Sequence, residues 1–297
     1  MMLCLTGRAP NPDTSMVVLD ELIDIGIPVI KWYDDGGFDG YTTAMMKHVV
    51  HDTKTGMDRT VTVKGQRYAS RKRYLPAVAG RNPLDSITQL IVHHSGADRA
   101  DPSIMFDVLY NQRGLSVHFA IEDDGRIWQF NNVADCCWHA GANNPISVGA
   151  ECCLFPFVKD NPHYYDDPNI SRLRNLPHAQ TIEVIHGQTM RTYRMPEPQW
   201  RNLARLYAGI WVAVGLLRSE GPCDAFSLPP LFPRDAQMQI SRAVLPHPLD
   251  HIGLLGHLHC TSRKVDPCGF PWDVFEDEVS DRWYDFHNIV IQNKEKK

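Results

Sequence analysis

No apolar stretch in the sequence approaches the roughly 18 consecutive residues that a membrane-spanning helix requires. The opening MMLCLTGRAPNPD has neither a basic start nor a long apolar run, so we expect synthesis in the cytoplasm without a Sec signal peptide. The eight cysteines lack the spacing of a disulfide framework, because four of them form the adjacent pairs Cys136-Cys137 and Cys152-Cys153. We therefore expect no membrane insertion and mostly reduced, buried thiols.

The chain also has no excess of positive charge. Thirty Lys and Arg residues stand against 35 Asp and Glu residues, which gives a formal net charge of -5. This balance is unsuited to a protein that binds nucleic acid by releasing counterions. The one basic cluster, Arg71-Lys72-Arg73, is more typical of a solvated loop than of a phosphate site. We expect no nucleic-acid partner, and the sequence carries no signal for an oligomeric state.

The chain does have enough apolar residues for a large core. It contains 297 residues, 43% of them apolar. Residues 1–84 predict an N-terminal extension or small subdomain of unknown role. Residues 85–280 alternate strand-like and helix-like segments, which predicts an α/β domain with a mixed central β-sheet flanked by helices. Within it, residues 219–250 contain six prolines and predict a loop insertion, and residues 281–297 predict a C-terminal tail.

Local patterns predict the elements of that domain. The β-branched apolar run at residues 86–94 predicts a buried strand, and Asp101-Pro102 predicts the start of a helix that ends at Gly114. Apolar residues at helical spacing predict a second helix over residues 196–217. Alternation and turn signals predict further strands at residues 117–122, 126–130, 147–154 and 181–185.

Four segments concentrate side chains that bind metals or transfer protons. They are His93-His94, Trp138-His139-Ala140-Gly141, Glu151 and the stretch from Gly256 to Pro267. A catalytic zinc ion takes three protein ligands, typically imidazole and carboxylate, and keeps a fourth position for water. Two histidines and an aspartate meet that need, and a neighbouring carboxylate can accept a proton from the water.

Strand alternation identifies the carboxylate and a cation. Glu151 lies on the small, polar face of the strand predicted over residues 147–154, so its side chain is free to face a cleft. Lys264 precedes Asp266 by two residues, so in an extended segment both side chains face the same way. A cation placed there would stabilise negative charge on a carbonyl oxygen.

Together these motifs resemble the zinc-dependent N-acetylmuramoyl-L-alanine amidases. The motifs are I-V-H-H-S, V-H-F-x-I-x-x-D-G, W-H-A-G, S-V-G-A-E and G-H-x(6)-K-x-D-P, and they occur in the family's order across residues 86–275. The type-2 amidase fold of this family is shared by bacterial recycling amidases, phage endolysins and animal peptidoglycan recognition proteins. The combination of these motifs is specific to this family, although each motif alone is not.

Carried over position by position, the resemblance implies one catalytic zinc ion (Zn2+) bound by His93, His257 and Asp266. It implies that Glu151 is the general base or water-orienting carboxylate, in the position used by the recycling branch. It also implies that Lys264 stabilises the oxyanion.

The W-H-A-G motif lies where the family lines its substrate cleft, which implies that His139 and Trp138 bind substrate. Two departures from the family pattern stand out. The segment after His257 is one residue shorter than usual and lacks the family's Pro-Gly, and Val117 occupies a position where many members carry tyrosine. The Lys-x-Asp spacing is kept, and Asp266 is favoured over the cysteine ligand of other branches.

The implied reaction is hydrolysis of the amide between N-acetylmuramic acid and L-alanine, with peptidoglycan or a muropeptide as substrate. One alternative is a non-catalytic peptidoglycan-binding module of the same fold, and another is an amidase that acts on a different acyl-amino-acid amide. At the metal, His94 is the less favoured alternative to His93, since only one of two adjacent strand residues faces a given side. A closed structural zinc site of Cys260, Cys268, His257 and His259 is a further alternative.

Three biological settings fit an amidase without a signal peptide: a phage endolysin, a cytoplasmic recycling enzyme and a secreted effector. The negative charge and the lack of a wall-binding repeat disfavour a lysin that depends on electrostatic adhesion. Residues 1–84 and 219–250 exceed what a minimal recycling enzyme requires. These additional residues favour a lytic amidase, released to act on the cell wall, over a recycling enzyme.

Overall fold

The structure, a computed structural model, describes residues 2–41, 46–52, 57–63, 69–70, 82–96, 101–160, 162–166, 179–219 and 226–295. Its strands in chain order are β1 (Met2–Cys4), β2 (Ser15–Val18), β3 (Glu21–Asp24), β4 (Val29–Lys31), β5 (Met46–Asp52), β6 (Met57–Val63), β7 (Ala69–Ser70), β8 (Gln89–His94), β9 (Phe119–Ile121), β10 (Ile127–Gln129), β11 (Asp135–Cys136), β12 (Ser147–Cys152), β13 (Gln180–Ile185), β14 (Gln188–Tyr193) and β15 (Gly253–Gly256). Its α-helices are α1 (Pro102–Phe106), α2 (Glu197–Leu217), α3 (His257–Cys260) and α4 (Trp272–Glu295). A π-helical segment, Asp107–Gln112, continues α1. None of the described helices is both long and apolar enough to cross a membrane.

A six-stranded sheet forms the centre of the molecule, in the order β15-β8-β12-β9-β10-β4. The first four strands are mutually parallel, and β10 is antiparallel to β9 and parallel to β4. The predicted mixed sheet with flanking helices is therefore confirmed. The strands predicted at residues 86–94, 117–122, 126–130 and 147–154 correspond to β8, β9, β10 and β12, each slightly shorter than predicted.

Side chains of β8 and β12 alternate between the two faces of this sheet. Val92 and Ala150 point to the face covered by α2 and α4, where they join the main hydrophobic core. His93 and Glu151, which are partners in the parallel register, belong to the opposite set of positions. A second apolar cluster, around Met105 and Leu109 of α1 and its π-helical continuation, covers part of that opposite face. The sheet is thus packed between two layers, and two polar side chains point away from the main core.

Helix α2 agrees with the prediction for residues 196–217 to within one residue at its start. Its apolar positions Trp200, Leu203 and Tyr207 are buried in the main core, which explains why the spacing was informative.

Helix α4 is not among the elements that the sequence predicts, and most of the expected C-terminal tail, residues 281–297, belongs to it. The reason is that its apolar residues are separated by many charged ones. Those apolar residues are nevertheless at helical spacing and buried against the core: Trp272, Phe275, Val279, Trp283, Phe286 and Val290.

The N-terminal residues contribute directly to this architecture. Strand β4 pairs with β10 and forms one edge of the central sheet. Strands β1, β3 and β2 form a separate three-stranded sheet, in that order, whose residues Met16 and Ile23 are buried in the main core. Apolar residues of the predicted N-terminal extension are therefore used for packing. The basic cluster Arg71-Lys72-Arg73 lies outside the described residues.

Two hairpins follow from turn residues with positive φ. Gly125 (φ 88°) turns β9 into β10, as the Asp-Asp-Gly signal predicted. His186 (φ 52°) and Gly187 (φ 75°) form the two-residue turn between β13 and β14. Only β13 was predicted there, because the region around it is rich in proline and asparagine. The described part of the insertion, residues 226–250, contains no α-helix and no β-strand beyond one isolated bridge.

Candidate metal centre and substrate cleft

Three of the predicted site residues come together at one edge of the central sheet. His93 lies near the carboxyl end of β8, and His257 is the first residue of α3, directly after β15. Because β8 and β15 are adjacent and parallel, their carboxyl ends meet at the same edge. Asp266 reaches this point from the loop that follows α3. All three side chains are buried.

The three side chains form a nearly equilateral triangle of ligand atoms. His93 Nδ1 lies 3.0 Å from His257 Nδ1 and 3.2 Å from Asp266 Oδ2, and His257 Nδ1 lies 3.1 Å from Asp266 Oδ2. Tetrahedral bonds of roughly 2.0–2.1 Å place the ligand atoms of a zinc site about 3.3 Å apart. The triangle therefore fits one zinc ion with a free fourth position. Among the described residues, this is the one group of three metal-binding side chains.

The protonation states of the triangle also suit a metal ion. Burial, and then the neighbouring His257, lower the pKa of His93 to about 4, against the opposing effect of Asp266. Burial alone would raise the pKa of Asp266, but hydrogen bonds from His257 and His93 outweigh it and hold that pKa well below its usual value. A neutral imidazole and an ionised carboxylate are the forms that bind metals.

Glu151 lies beside this triangle, directly opposite His93 in the register of β12 and β8. The side chain is buried, and its Oε2 has no hydrogen-bond partner among the described residues. Burial and the nearby Asp266 carboxylate raise the pKa of Glu151 to about 8, while the cations Lys264 and Arg113 oppose that rise. A divalent cation in the triangle would also favour the ionised carboxylate. The unpaired oxygen is therefore a second observation that fits a metal here.

Lys264 lies at the mouth of a narrow cavity of about 90 Å³ that Glu151 and Asp266 also line. Its side chain is exposed. Its backbone is fixed by the β13–β14 hairpin, since His186 Nε2 donates to the Lys264 carbonyl oxygen over 2.9 Å. Lys264 and Asp266 thus border one small volume.

Trp138 and His139 line a larger cleft of about 730 Å³ next to the metal triangle. The Trp138 side chain is 45% exposed and offers an indole surface to that cleft. His139 is only partly exposed, and its Nδ1 lies 2.9 Å from Nε2 of His93. His139 therefore contacts a residue of the triangle as well as the cleft.

The alternative metal ligands do not join the triangle. His94 lines the small cavity, but its Nε2 lies 3.1 Å from Cys268 Sγ. His259 accepts a hydrogen bond from the Gly256 amide and donates one to the Ser241 carbonyl. Neither histidine joins Cys260 in a metal-binding group among the described residues. The geometry gives no support to a closed structural zinc site.

Sequence reasoning missed two contributors to the cleft. Arg113, which directly follows the π-helical segment, lines both cavities. The end of the insertion, residues 246–250, forms part of the wall of the larger cleft. A lone arginine and a proline-rich loop carry no spacing signal, so only the fold could place them beside the triangle.

Comparison with known proteins gives a family and several solved structures that match part of the chain. The family model described as N-acetylmuramoyl-L-alanine amidase matches residues 83–269. No curated protein matches the chain.

Three solved structures illustrate the similarity. The endolysin amidase LysCS from Clostridium intestinale is 13% identical, with 74% of this chain and 92% of that chain covered and a TM-score of 0.38. The hydrolase AmiA from Staphylococcus aureus, solved with its ligand, is 14% identical, with coverages of 74% and 93% and a TM-score of 0.39. Drosophila PGRP-LB is 14% identical, with coverages of 85% and 92% and a TM-score of 0.32.

Proposed function

The chain belongs to the N-acetylmuramoyl-L-alanine amidase family, and from that membership we propose that it is a zinc-dependent hydrolase of the amide between N-acetylmuramic acid and L-alanine. Its mixed sheet with flanking helices is the type-2 amidase fold. The proposed substrate is peptidoglycan or a muropeptide, and the proposed site is the cleft beside the metal triangle.

The observation that carries this proposal is the juxtaposition of the triangle and Glu151. Three ligand atoms within 3.2 Å of one another share an edge of the sheet with a buried carboxyl that has an unpaired oxygen. Leaving a buried polar group unpaired costs about 1–3 kcal/mol, more if it is charged. A module that only binds peptidoglycan gains nothing from that cost, whereas a hydrolase needs a carboxylate at this position.

His93, His257 and Asp266 would hold the zinc ion. When bound there, zinc polarises a carbonyl oxygen and lowers the pKa of water, which is the chemistry that amide hydrolysis requires. Burial favours the neutral imidazole of His93, and the hydrogen bonds from the two histidines favour the ionised carboxylate of Asp266. The ends of two adjacent strands position His93 and His257, and the loop after α3 positions Asp266.

Glu151 is proposed to accept the proton of the attacking water and to return it to the leaving amine. Without a metal ion its pKa is raised to about 8, and a bound cation would favour the carboxylate that accepts this proton. Glu151 is buried and lines the small cavity, so its carboxyl can contact a water molecule there.

Lys264 is proposed to stabilise negative charge on the carbonyl oxygen of the scissile amide. It is an exposed cation at the mouth of the small cavity, and its backbone is held by the hairpin. Trp138 is proposed to contact the sugar or peptide of the substrate, because its indole surface faces the larger cleft. The insertion residues 246–250 lie in the wall of this cleft and limit its width.

The proposal is tested with the full-length protein, zinc analysis and two substrates. We expect about one bound zinc per chain and release of free stem peptides from purified sacculi, measured by mass spectrometry. Removal of the metal with a chelator should abolish release, and added zinc should restore it. Binding of sacculi without release of peptide would instead identify a peptidoglycan-binding module, and a metal-free protein with full activity would overturn the zinc assignment.

The same assay with soluble anhydro-muropeptides addresses the biological setting. We propose a lytic role, so intact sacculi should be the better substrate. A clear preference for the soluble fragments would assign the chain to recycling.

A further inference from the structure

We propose that His139 is a positioning residue for the metal centre: through one hydrogen bond it fixes the ring orientation and the protonated nitrogen of His93. The resemblance assigns His139 only to the substrate cleft, and the geometry points to this additional role. The inference rests on the proposed zinc site, and it concerns how that site is built. It begins with the contact of 2.9 Å between His93 Nε2 and His139 Nδ1.

With a metal ion bound at His93 Nδ1, donors and acceptors along this contact can be arranged in only one consistent way. His93 Nδ1 faces His257 and Asp266, so in the metal-bound form this nitrogen is the ligand atom. The proton of a neutral His93 is then on Nε2, which must donate. His139 Nδ1 must therefore accept, and the proton of His139 is on its own Nε2.

The arrangement continues beyond His139 without a conflict. His139 Nε2 lies 3.2 Å from Ser147 Oγ, to which it donates. Ser147 Oγ in turn donates to the carbonyl oxygen of Asn143 over 2.8 Å. The Asn143 side chain donates to Oε1 of Gln89, the first residue of β8, over 2.8 Å. Contacts through Asn143, Ser147 and His139 thus connect Gln89, at one end of β8, with His93, near its other end.

The surroundings of the His139 ring also fix its position. An added Cβ at Gly149 would lie 2.4 Å from His139 Nδ1, so the ring packs against a strand residue that has no side chain. The Gly149 amide donates to His118 Nδ1 over 3.1 Å, which holds this part of β12 in place. The backbone amides of His139 and Ala140 both donate to Asn144 Oδ1. Backbone and ring of His139 are therefore held independently of any substrate.

A group in this position has a measurable effect on metal binding. A metal-binding histidine commonly donates its second N–H to a fixed acceptor, and loss of such an acceptor typically costs 10- to 100-fold in metal affinity. Without His139, the ring of His93 would be free to rotate or to place its proton on Nδ1, and either change opposes metal binding. A residue that only contacts substrate would leave metal affinity unchanged.

The experiment compares zinc affinities, measured by competition with a chromophoric chelator, in the full-length protein. His139→Ala should weaken zinc binding by about 10- to 100-fold. His139→Asn should recover most of the affinity, because its side-chain oxygen lies near the position of Nδ1 and accepts the same hydrogen bond. Trp138→Ala is the matched control: it changes the exposed neighbour in the same motif and should leave zinc affinity unaltered while weakening substrate binding.

A spectroscopic measurement separates positioning from general loss of structure. In the zinc-loaded wild-type protein, the Nε2 proton of His93 should exchange slowly with solvent, as seen by proton NMR of the histidine side chains. This proton should exchange rapidly in His139→Ala and slowly again in His139→Asn. Should His139→Ala fail to fold, Ser147→Ala provides the milder test, since it removes the anchor of the His139 ring and should weaken zinc binding several-fold.

The outcomes distinguish this inference from the proposed function. If wild-type protein binds zinc and releases stem peptides while His139→Ala and Ser147→Ala bind zinc equally tightly, the positioning role is wrong and the hydrolase stands. If wild-type protein binds no zinc, the proposed function fails, and the positioning role fails with it.

Discussion

Glu151 illustrates, at the scale of a single residue, how neighbouring charges set the state of a buried carboxyl. Without a metal ion, burial and Asp266 hold its pKa at about 8, so the carboxyl is mostly protonated at neutral pH. A cation in the adjacent triangle would shift this balance toward the carboxylate. Glu151 would thus become a base only when the site is loaded, which couples proton transfer to metal binding.

The first prediction concerns the Glu151→Gln substitution. The amide has nearly the same shape but accepts no proton at ordinary pH, so turnover should fall by about 10²- to 10⁴-fold. Zinc should stay bound, because Glu151 is not part of the ligand triangle. Steady-state release of stem peptide, together with zinc analysis of the same sample, checks both statements.

Glu122→Gln is the matched control for this change. Glu122 is also buried and its pKa is also raised to about 8, but it pairs with Arg126 in the β9–β10 hairpin. Its substitution should leave the turnover of the folded protein near that of wild type. An equal loss of turnover in Glu151→Gln and Glu122→Gln would mean that Glu151 has no special role in proton transfer.

The second prediction is a pH dependence of the metal-free protein. Folding raises the pKa of Glu151 from 4.5 to about 8, so the folded state binds this proton more tightly than the unfolded state. The contribution of Glu151 to the free energy of unfolding is therefore largest below about pH 4.5 and falls as the pH rises toward 8. Glu151→Gln lacks this titration, so its stability relative to wild type should increase over that range.

Urea denaturation of both proteins at about pH 5 and about pH 8 measures this difference. Comparison of the two proteins removes the contributions of other titrating groups, including His93. Saturating zinc provides the control, since a bound cation favours the ionised Glu151 and should remove or reverse the trend. A relative stability that stays constant with pH in the metal-free proteins would show that the Glu151 pKa is not raised.

At the scale of secondary-structure elements, the β13–β14 hairpin positions the loop that carries Lys264 and Asp266. Glu183 Oε1 of β13 accepts hydrogen bonds from the Gly269 amide over 2.5 Å and from the Thr192 hydroxyl over 2.9 Å. His186, at the turn, donates to the Lys264 carbonyl. The hairpin therefore holds this loop at both ends.

The third prediction follows from this contact. Glu183→Ala removes the acceptor of the Gly269 amide and should loosen the loop. Displacement of catalytic groups by about 1 Å can cost up to roughly 100-fold, so we expect kcat/KM to fall by about 10- to 100-fold and zinc affinity to weaken. The control is Ile182→Ala, which changes the adjacent residue of β13, 71% exposed and facing away from the loop. If both variants behave like wild type, the loop keeps its position without the hairpin.

The elements that the sequence predicted well are those that depend on local patterns. Alternation in residues 147–154 placed Glu151 on the polar face of β12, and the apolar spacing of residues 196–217 placed α2. The hydrogen bonds from His186 to Lys264 and from His93 to His139 join residues 78 and 46 positions apart, so no local pattern could predict them. The resemblance to the amidase family predicted that the three ligand side chains converge, and the order of strands in the central sheet explains physically why they do.

At the scale of the whole molecule, the N-terminal residues join the main core, which packs on the face of the central sheet opposite the candidate metal centre. Ile25 is fully buried and packs on Gly209 of α2, where an added Cβ would lie 2.5 Å from the Ile25 side chain. Arg205 of α2 donates to the Ile25 carbonyl, and β4 completes the central sheet. These contacts favour one cooperative folding unit over a separate N-terminal subdomain.

The last prediction tests this cooperativity with Ile25→Ala. Removing a buried isoleucine side chain should lower the free energy of unfolding by about 2–5 kcal/mol, because the cavity left against Gly209 cannot collapse onto a helix backbone. Circular dichroism and zinc release should report one transition, shifted together to lower denaturant concentration. Asp13→Ala, at an exposed N-terminal position, should change stability by less than about 0.5 kcal/mol. Zinc release that stays at the wild-type midpoint in Ile25→Ala would mean that the N-terminal residues fold independently, since damage to their packing would then leave the metal centre intact.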